Sequence, residues 1–342
     1  MPEVTIIGLD LAKNVFQVHG ADGSGHAILR KKLRRDQVLA YFNRVSPCVV
    51  AMEACGGAHF WGREIGKSGH EVQLIPPAYV KPFVKRQKND TADAEAICEA
   101  AQRPSMRFVP VKSEATQGAA MAFRVRELLI RQRTQAINAL RGHLAEFGAV
   151  VPQGATNAGR LVARVEDRDS GLPDDARGTL EVLIGTLAQL DTQIRKLDAE
   201  IARHAKESDV ARRLMTVPGI GPLIATAIAV LAPPPKTFRR GRDFAAWLGL
   251  VPRQHSTGGK QRLGATTKMD ERSLRRLLII GANSVIIKRH VHKEAQPGTW
   301  LGGLLSRKLP MLVRVALANN EPLCAIGSST MASARIVWAL MA

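Results

Sequence analysis

Cysteine is scarce and unclustered: Cys48, Cys55, Cys98 and Cys324 form no C-x-x-C pair and have no grouped histidines beside them. That excludes a zinc site of ordinary spacing and a disulfide framework, and a reducing setting is expected. Long apolar runs are also missing. No stretch reaches the roughly 18 residues that a membrane helix needs and no signal-peptide pattern opens the chain, so the expectation is a cytoplasmic protein with no membrane partner. The stretch Ile336–Ala342 is too short to span and reads as the end of a packed helix. Acids are the third shortage, 30 Asp and Glu against 49 Lys and Arg, which leaves a formal charge of +19. Solubility does not need so much, and a polyanionic partner, nucleic acid, is the inference. An apolar fraction of 45% in 342 residues excludes disordered and collagen-like chains and allows two or three cored domains.

What is present begins with Val4–Asp10, VTIIGLD, an apolar, β-branched run that reads as a central strand buried on both faces and ends on a carboxylate. A buried carboxylate needs a partner: a turn backbone, a basic side chain, or a metal shared with other acids. After it, LAKN reads as a reversal, VFQVHG and HAILRKKL as two more strands of an antiparallel meander, and Arg35–Val45 as a helix. CVVAM is a further apolar strand that runs straight into Glu53, and HEVQLIP another that Pro76 and Pro77 stop. The result is an α/β layer on a mixed sheet. From Asp90 a helix begins, with Asp90 and Asp93 at i and i+3 on one face; helix-start chemistry, with Asn89 or Asp90 as the cap, explains the same pair. Four acids ordered strand, strand, helix, helix are nevertheless what a two-metal phosphodiester site uses, since hard carboxylate oxygens suit Mg²⁺.

The quartet Asp10, Glu53, Asp90 and Asp93, set in IIGLDLAK, AMEACGG and KNDTADAEAI, resembles the catalytic domain of the DEDD-type insertion-sequence transposases, whose N-terminal domain is similar to RuvC-like junction resolvases of the ribonuclease H fold. The resemblance implies that these four acids are catalytic and hold Mg²⁺ or Mn²⁺.

In the middle of the chain apolar residues recur at sevens: Phe123, Ile130, Ile137 and Leu144 with Leu140 and Phe147, then Leu180, Leu187, Ile194 and Ile201 with Leu183, Leu190 and Leu197. Such heptads predict two coiled-coil helices, joined by a loop over Gly148–Arg177 and pairing either within one chain or between two. Arg124, Arg126, Arg131, Arg133 and Arg141 make the first helix a candidate nucleic-acid surface.

Pro218-Gly219-Ile220-Gly221 lies between apolar helical runs and resembles a helix-hairpin-helix that grips DNA backbone, a plain helical hairpin being the alternative. From Lys236 to Lys293 fourteen Lys and Arg face three Asp and Glu, a net +11 of the total +19. Inside that footprint Ser256 occupies a glycine-flanked turn beside His255, Lys260 and Arg262. The stretch GLVPRQHSTGGK and its basic helix resemble the C-terminal domain of the same transposases, which implies Ser256 as the nucleophile, with Thr257 open and Ser273 inside a helix. Tyrosine chemistry is disfavoured, since Tyr41 and Tyr79 both lie far from the basic segment.

The resulting division is residues 1–112, a RuvC-like, ribonuclease H-fold α/β domain; 113–206, a helical coiled-coil region; and 207–342, a mainly α domain with the helix-hairpin-helix and the serine. Pro218, Gly219, Gly221, Arg253, Lys260, Arg262, Lys268, Arg272, Arg275 and Arg276 are the expected nucleic-acid contacts. The resemblance implies a recombinase acting on element ends and target DNA, as a homo-oligomer (a dimer, or a tetramer in the active complex), with a structured bridge RNA as guide, in a bacterial nucleoid setting. A metal-dependent resolvase without a covalent intermediate, and a non-catalytic scaffold, are the competing readings.

Overall fold

Strand β1 (Ile6–Asp10) is the middle of a five-stranded sheet. It runs antiparallel to β2 (Val15–Ala21), which pairs with the edge strand β3 (Ala27–Arg34), and parallel to β4 (Val49–Glu53), which pairs with β5 (Glu71–Ile75). The spatial order β3-β2-β1-β4-β5 is a mixed sheet with a three-strand meander on one side and two parallel strands on the other. The structure, a computed structural model, describes residues 3–85, 89–269, 271–291 and 300–320; Cys324 and the 336–342 stretch lie outside the described residues. Two compact units divide the chain, Met1–Gln117 and Gly118–Ala342.

In the first unit the alternation of β1 sends Ile7 and Leu9 to one face, among Phe16, Phe42, Met52 and Trp61. Helices α1 (Val38–Phe42) and α2 (Ala58–Gly66) cover that face. Past β5, the short α3 (Pro77–Val80) leads toward α4 (Asp90–Ala101), which packs on the opposite face through Ala96, Ile97, Cys98 and Ala100 against Ala51, Ile75, Ile6 and Ala21. Small side chains on both surfaces allow a close approach. Gly8 sets its limit: a Cβ there would lie 2.2 Å from the Ala94 carbonyl oxygen and 2.6 Å from the Cys98 nitrogen. Burial of β1 on both faces follows the sequence expectation, and each fully buried Ile or Leu is worth about 1.5–3 kcal/mol.

The long α5 (Glu114–Glu146) carries the chain into the second unit, where it lies antiparallel to α7 (Asp174–Glu207). Arg126 pairs with Asp198 at 2.5 Å and Arg133 with Asp191 at 2.9 Å, so one number rises as the other falls. Leu180, Leu187, Ile194 and Ile201 form a buried line, as their spacing predicts, and Phe123, Ile137, Leu140 and Leu144 are buried on α5. Phe147 departs from that line: it follows the end of α5 and is exposed. The 148–177 stretch is also more than a loop. It contains α6 (Ala158–Glu166), whose Leu161 and Val165, one helical turn apart, fill the space between the ends of the long helices.

Among the described residues, the regular structure in the rest of the second unit is helical except for one hairpin: α8 (Asp209–Leu214), α9 (Pro222–Leu231), α10 (Gly241–Trp247), strands β6 (Pro252–Gln254) and β7 (Leu263–Thr266), then α11 (Arg272–Val291), α12 (Trp300–Leu305) and α13 (Pro310–Asn320). Its core gathers Leu214, Ile224, Ile228, Phe244, Leu248, Leu274, Leu278 and Val313. No helix of the described residues is long and apolar enough to cross a membrane.

Candidate active site

Parallel strands β1 and β4 end side by side, which puts Asp10 and Glu53 at one end of the sheet. The start of α4 comes down on the same end. Asn89 caps this helix, accepting from the Thr91 N–H at 2.8 Å and the Ala92 N–H at 3.3 Å. Because Asn89 fills the cap, Asp90 and Asp93 are not needed for it, and the choice left open by sequence falls to Asn89. Carboxylate oxygens of Asp10, Asp90 and Asp93 then lie within 4.8 Å of one another. Glu53 stands just outside that trio.

The electrostatics report the crowding. Burial, then the charges of Asp93, Asp90 and Glu53, push the Asp10 carboxyl up to about 6, against a lowering hydrogen bond from the Leu11 backbone. Glu53 is also raised, by burial first and by Asp93 second. So Glu53, although outside the 4.8 Å trio, is near enough to act on Asp10 and to feel Asp93. Hard oxygens converging from rigid elements, with mutual repulsion for a cation to relieve, are the donor set of a divalent metal such as Mg²⁺.

In the second unit Ser256 lies at the tip of the β6–β7 hairpin. Gly258 (φ 53°) and Gly259 (φ 76°) take the left-handed conformation that a tight hairpin reversal requires, closed by the Lys260 N–H to Thr257 O bond of 3.0 Å. The Ser256 Oγ accepts two hydrogen bonds, from Gln254 Nε2 at 3.0 Å and from the Arg262 N–H at 3.1 Å. Lys260 and Arg262 are exposed near the tip, and Arg253 and Lys268 are exposed toward the base of the hairpin, where Arg253 donates to the Thr267 carbonyl at 3.4 Å. Ser273 is engaged elsewhere, donating to Glu127 at 2.7 Å. Arg272 and Arg276 are exposed on α11, whereas Arg275 donates to the carbonyls of Leu248 (2.9 Å) and Met269 (2.6 Å) and ties the chain before and after the hairpin to α11.

Pro218–Gly221 connects α8 to α9 with Gly219 at φ 88°. Together with Met215, Thr216, Val217 and Ser284 it lines an open cavity of about 340 Å³. No side chain caps α9; Pro222 at its start has no N–H, and the Ala225 N–H donates to the Gly221 carbonyl at 2.9 Å. Helix α11 runs close behind the turn: a Cβ on Gly281 would lie 2.4 Å from the Gly219 carbonyl oxygen.

Two stretches of the chain match family models. Residues 7–148 match a transposase model of the DEDD IS110 type, and residues 211–296 match the model described as transposase IS116/IS110/IS902 family. A Pseudomonas aeruginosa protein named "Probable family 20 transposase" is 47% identical over 98% of this chain and 96% of its own length. The transposase for insertion sequence element IS1328 of Yersinia enterocolitica is 41% identical over 94% of this chain and 95% of its own. That for element IS1111A of Coxiella burnetii is 36% identical over 100% and 90%. The chain belongs to the IS110/IS116 family of transposases.

An IS110-family transposase cuts and rejoins DNA, and the family's DEDD designation agrees with a divalent-metal site at the acidic cluster. Against the expectation that α5 is a nucleic-acid surface, its arginines find partners within the transposase itself: Arg126 and Arg133 pair with α7, Arg124 with Glu271 at 2.9 Å, Arg131 with Glu127 at 3.9 Å, and Arg141 donates to Asn138 at 2.8 Å. One contributor went unread in the sequence. Gly8, an isolated glycine in an apolar strand, is the signal of a close backbone approach, and it is what lets α4 bring Asp93 down beside Asp10.

Proposed function

We infer that this transposase breaks and rejoins DNA with the acidic group of the first unit positioning the phosphate and Ser256 of the second attacking it. The observation that carries the reading is the convergence of Asp10, Asp90 and Asp93 within 4.8 Å while Asn89 alone serves the helix cap. Helix-end chemistry does not account for three carboxylates held so close. When bound, divalent metal supplies Lewis acidity to the phosphate and charge neutralisation. Asp10, Asp90, Asp93 and Glu53 are the residues that hold it.

The serine half rests on hydrogen bonding. With Gln254 and Arg262 both donating to Oγ, the oxygen's lone pairs are engaged and its anionic form is favoured. In the step proposed, Oγ bonds to phosphorus and the DNA oxygen on the far side leaves with the bonding pair. The Ser256 proton passes to water, which is open to this exposed tip. Lys260 and Arg262 offset the charge that develops on the phosphate. A DNA hydroxyl from another end then attacks the phosphoserine bond, which breaks and returns the proton to Ser256, so rejoining needs no energy source. Arg253, Lys268, Arg272 and Arg276 bind flanking phosphates, and Gly219 and Gly221 present backbone N–H groups to another in the turn that Pro218 starts. Arg275, occupied by carbonyls, serves by holding this arrangement in place. The family resemblance extends the proposal to residues 113–206 as a coiled-coil spacer, a homo-oligomer, and a bridge RNA that selects the target.

The test is chemical. Protein incubated with element-end DNA and divalent metal is denatured, digested with trypsin and analysed by mass spectrometry. The reading expects a nucleotide remnant on Ser256 in the peptide Gln254–Lys260, absent from Asp10→Asn. A remnant on Thr257 would move the nucleophile by one residue, and strand cleavage with no adduct would refute it.

A further inference from the structure

The sheet carries a second charged feature, at its open edge. Residues opposite one another in register share a face. Asp10 is opposite Gln17, which is opposite Lys32; one pair further along, Gly8, His19 and Arg30 align, and Val15 stands opposite Arg34. Arg30, Lys32 and Arg34 therefore occupy the same face as Asp10, beyond the area that α4 covers, and all three are exposed. Inter-strand spacing of about 4.8 Å puts the Lys32 backbone roughly 10 Å from that of Asp10.

The row is not neutral along its length. At the far end Glu95 of α4 takes Lys85 at 2.5 Å and Arg30 at 3.9 Å. At the Asp10 end, Lys32 has no ion pair among the described residues, and Arg34 has an exposed pair with Asp36 at 3.2 Å, worth little in water. Edge strands often carry charge to prevent pairing with another chain, but that duty requires no particular sign. The opposite edge, β5, turns Glu71, Gln73 and Ile75 to this face without one basic residue. The sheet thus has a positive border on the Asp10 side only, next to an acidic cluster that by itself repels a polyanion.

We propose that Lys32 and Arg34, with Gln17 between them and Asp10, form a track for the sugar–phosphate backbone of the DNA strand whose phosphate is held at the acidic cluster. This rests on the metal-site reading. Phosphates a few nucleotides from the cut lie over β3, and the row supplies the attraction that the carboxylates lack.

The experiment measures DNA affinity of the full chain against salt, with a labelled duplex spanning one element end, for wild type, Lys32→Gln/Arg34→Gln and Lys31→Gln. Lys31 is the neighbouring control, on the other face of β3 with its ammonium 4.9 Å from the Tyr41 ring centre. Losing two phosphate contacts lowers the log–log salt slope by about 1.8, so between about 50 and about 200 mM salt the double variant loses roughly twelvefold less affinity than wild type. Lys31→Gln keeps the wild-type slope. An unchanged slope in the double variant overturns the proposal, as does an equal change in Lys31→Gln. A change seen with an RNA oligonucleotide of the same sequence and not with DNA also overturns it, in favour of RNA. As a check that does not depend on the substitutions, a photo-crosslinking benzophenone at position 32 is expected to capture the DNA, and one at position 31 is not. Loss of cleavage in Asp10→Asn with an unchanged slope in the double variant would remove the track alone; retained cleavage in Asp10→Asn would remove the metal site and leave the slope result standing.

Discussion

Asp10→Asn stabilises the metal-free first unit near neutral pH while abolishing its chemistry. The Asp10 carboxyl rises from its ordinary 3.8 to about 6, first through burial and then through Asp93, Asp90 and Glu53. A raised carboxylate binds its proton more tightly folded than unfolded, so between about pH 4 and pH 6 the folded state holds more protons and stability falls as pH rises. Below that window both states are protonated and the penalty vanishes; above it the penalty is complete. At about 1.36 kcal/mol per tenfold change in proton affinity the full rise is worth about 3 kcal/mol. Asp10 is only half-buried, and solvent screening brings this to about 1–2 kcal/mol. The asparagine keeps the shape and removes the charge. Amide hydrogen exchange of β1 and α4 in chelator follows this unit by itself, and at pH 7 protection in Asp10→Asn is expected to rise by about five- to thirtyfold, converging on wild type near pH 4. Saturating divalent metal reverses the order, because only the wild type gains binding energy. Faster exchange in the variant at pH 7 without metal would refute the reasoning.

Gly8→Ala forces α4 off the sheet, at a cost of about 1–3 kcal/mol, and separates Asp93 from Asp10; manganese binding followed by calorimetry is expected to weaken at least tenfold while DNA affinity persists. Asn89→Ala removes the α4 cap and lowers stability by about 1 kcal/mol, read as a shift in the urea midpoint. Arg133→Ala and Asp191→Ala together cost less than the sum of the two alone, with a coupling of about 0.5–1 kcal/mol in a double-mutant cycle, since the pair is half-exposed. Full additivity would mean that the pair does not bind α5 to α7.

Much of this was legible because buried strands constrain their residues strongly. The runs that end on Asp10 and on Glu53 are apolar enough to require a central sheet, and the sheet's order brings their ends together. The line from Leu180 to Ile201 was readable because four apolar residues recur at sevens, over about six turns of helix. Helix α6 was not, because glycine, proline and aspartate around it outweigh a signal of two residues, Leu161 and Val165. Phe147 continued a heptad on paper but falls past the end of its helix, where periodicity no longer applies. Arginine identity does not tell a phosphate contact from an internal tie: Arg275 is spoken for by two carbonyls, and Arg124, Arg126 and Arg133 of α5 by acids far away in sequence. Gly8 needed the path of α4, which no local pattern supplies.

The most direct test of the central claim is excision in cells. The gene with its native flanks is placed on a plasmid, and the circular junction is amplified for wild type, Asp10→Asn and Ser256→Ala. The account predicts a junction from wild type and none from either variant, because the acidic cluster and the serine are both required. A junction from Ser256→Ala would contradict the serine half, and one from Asp10→Asn would contradict the account at its centre.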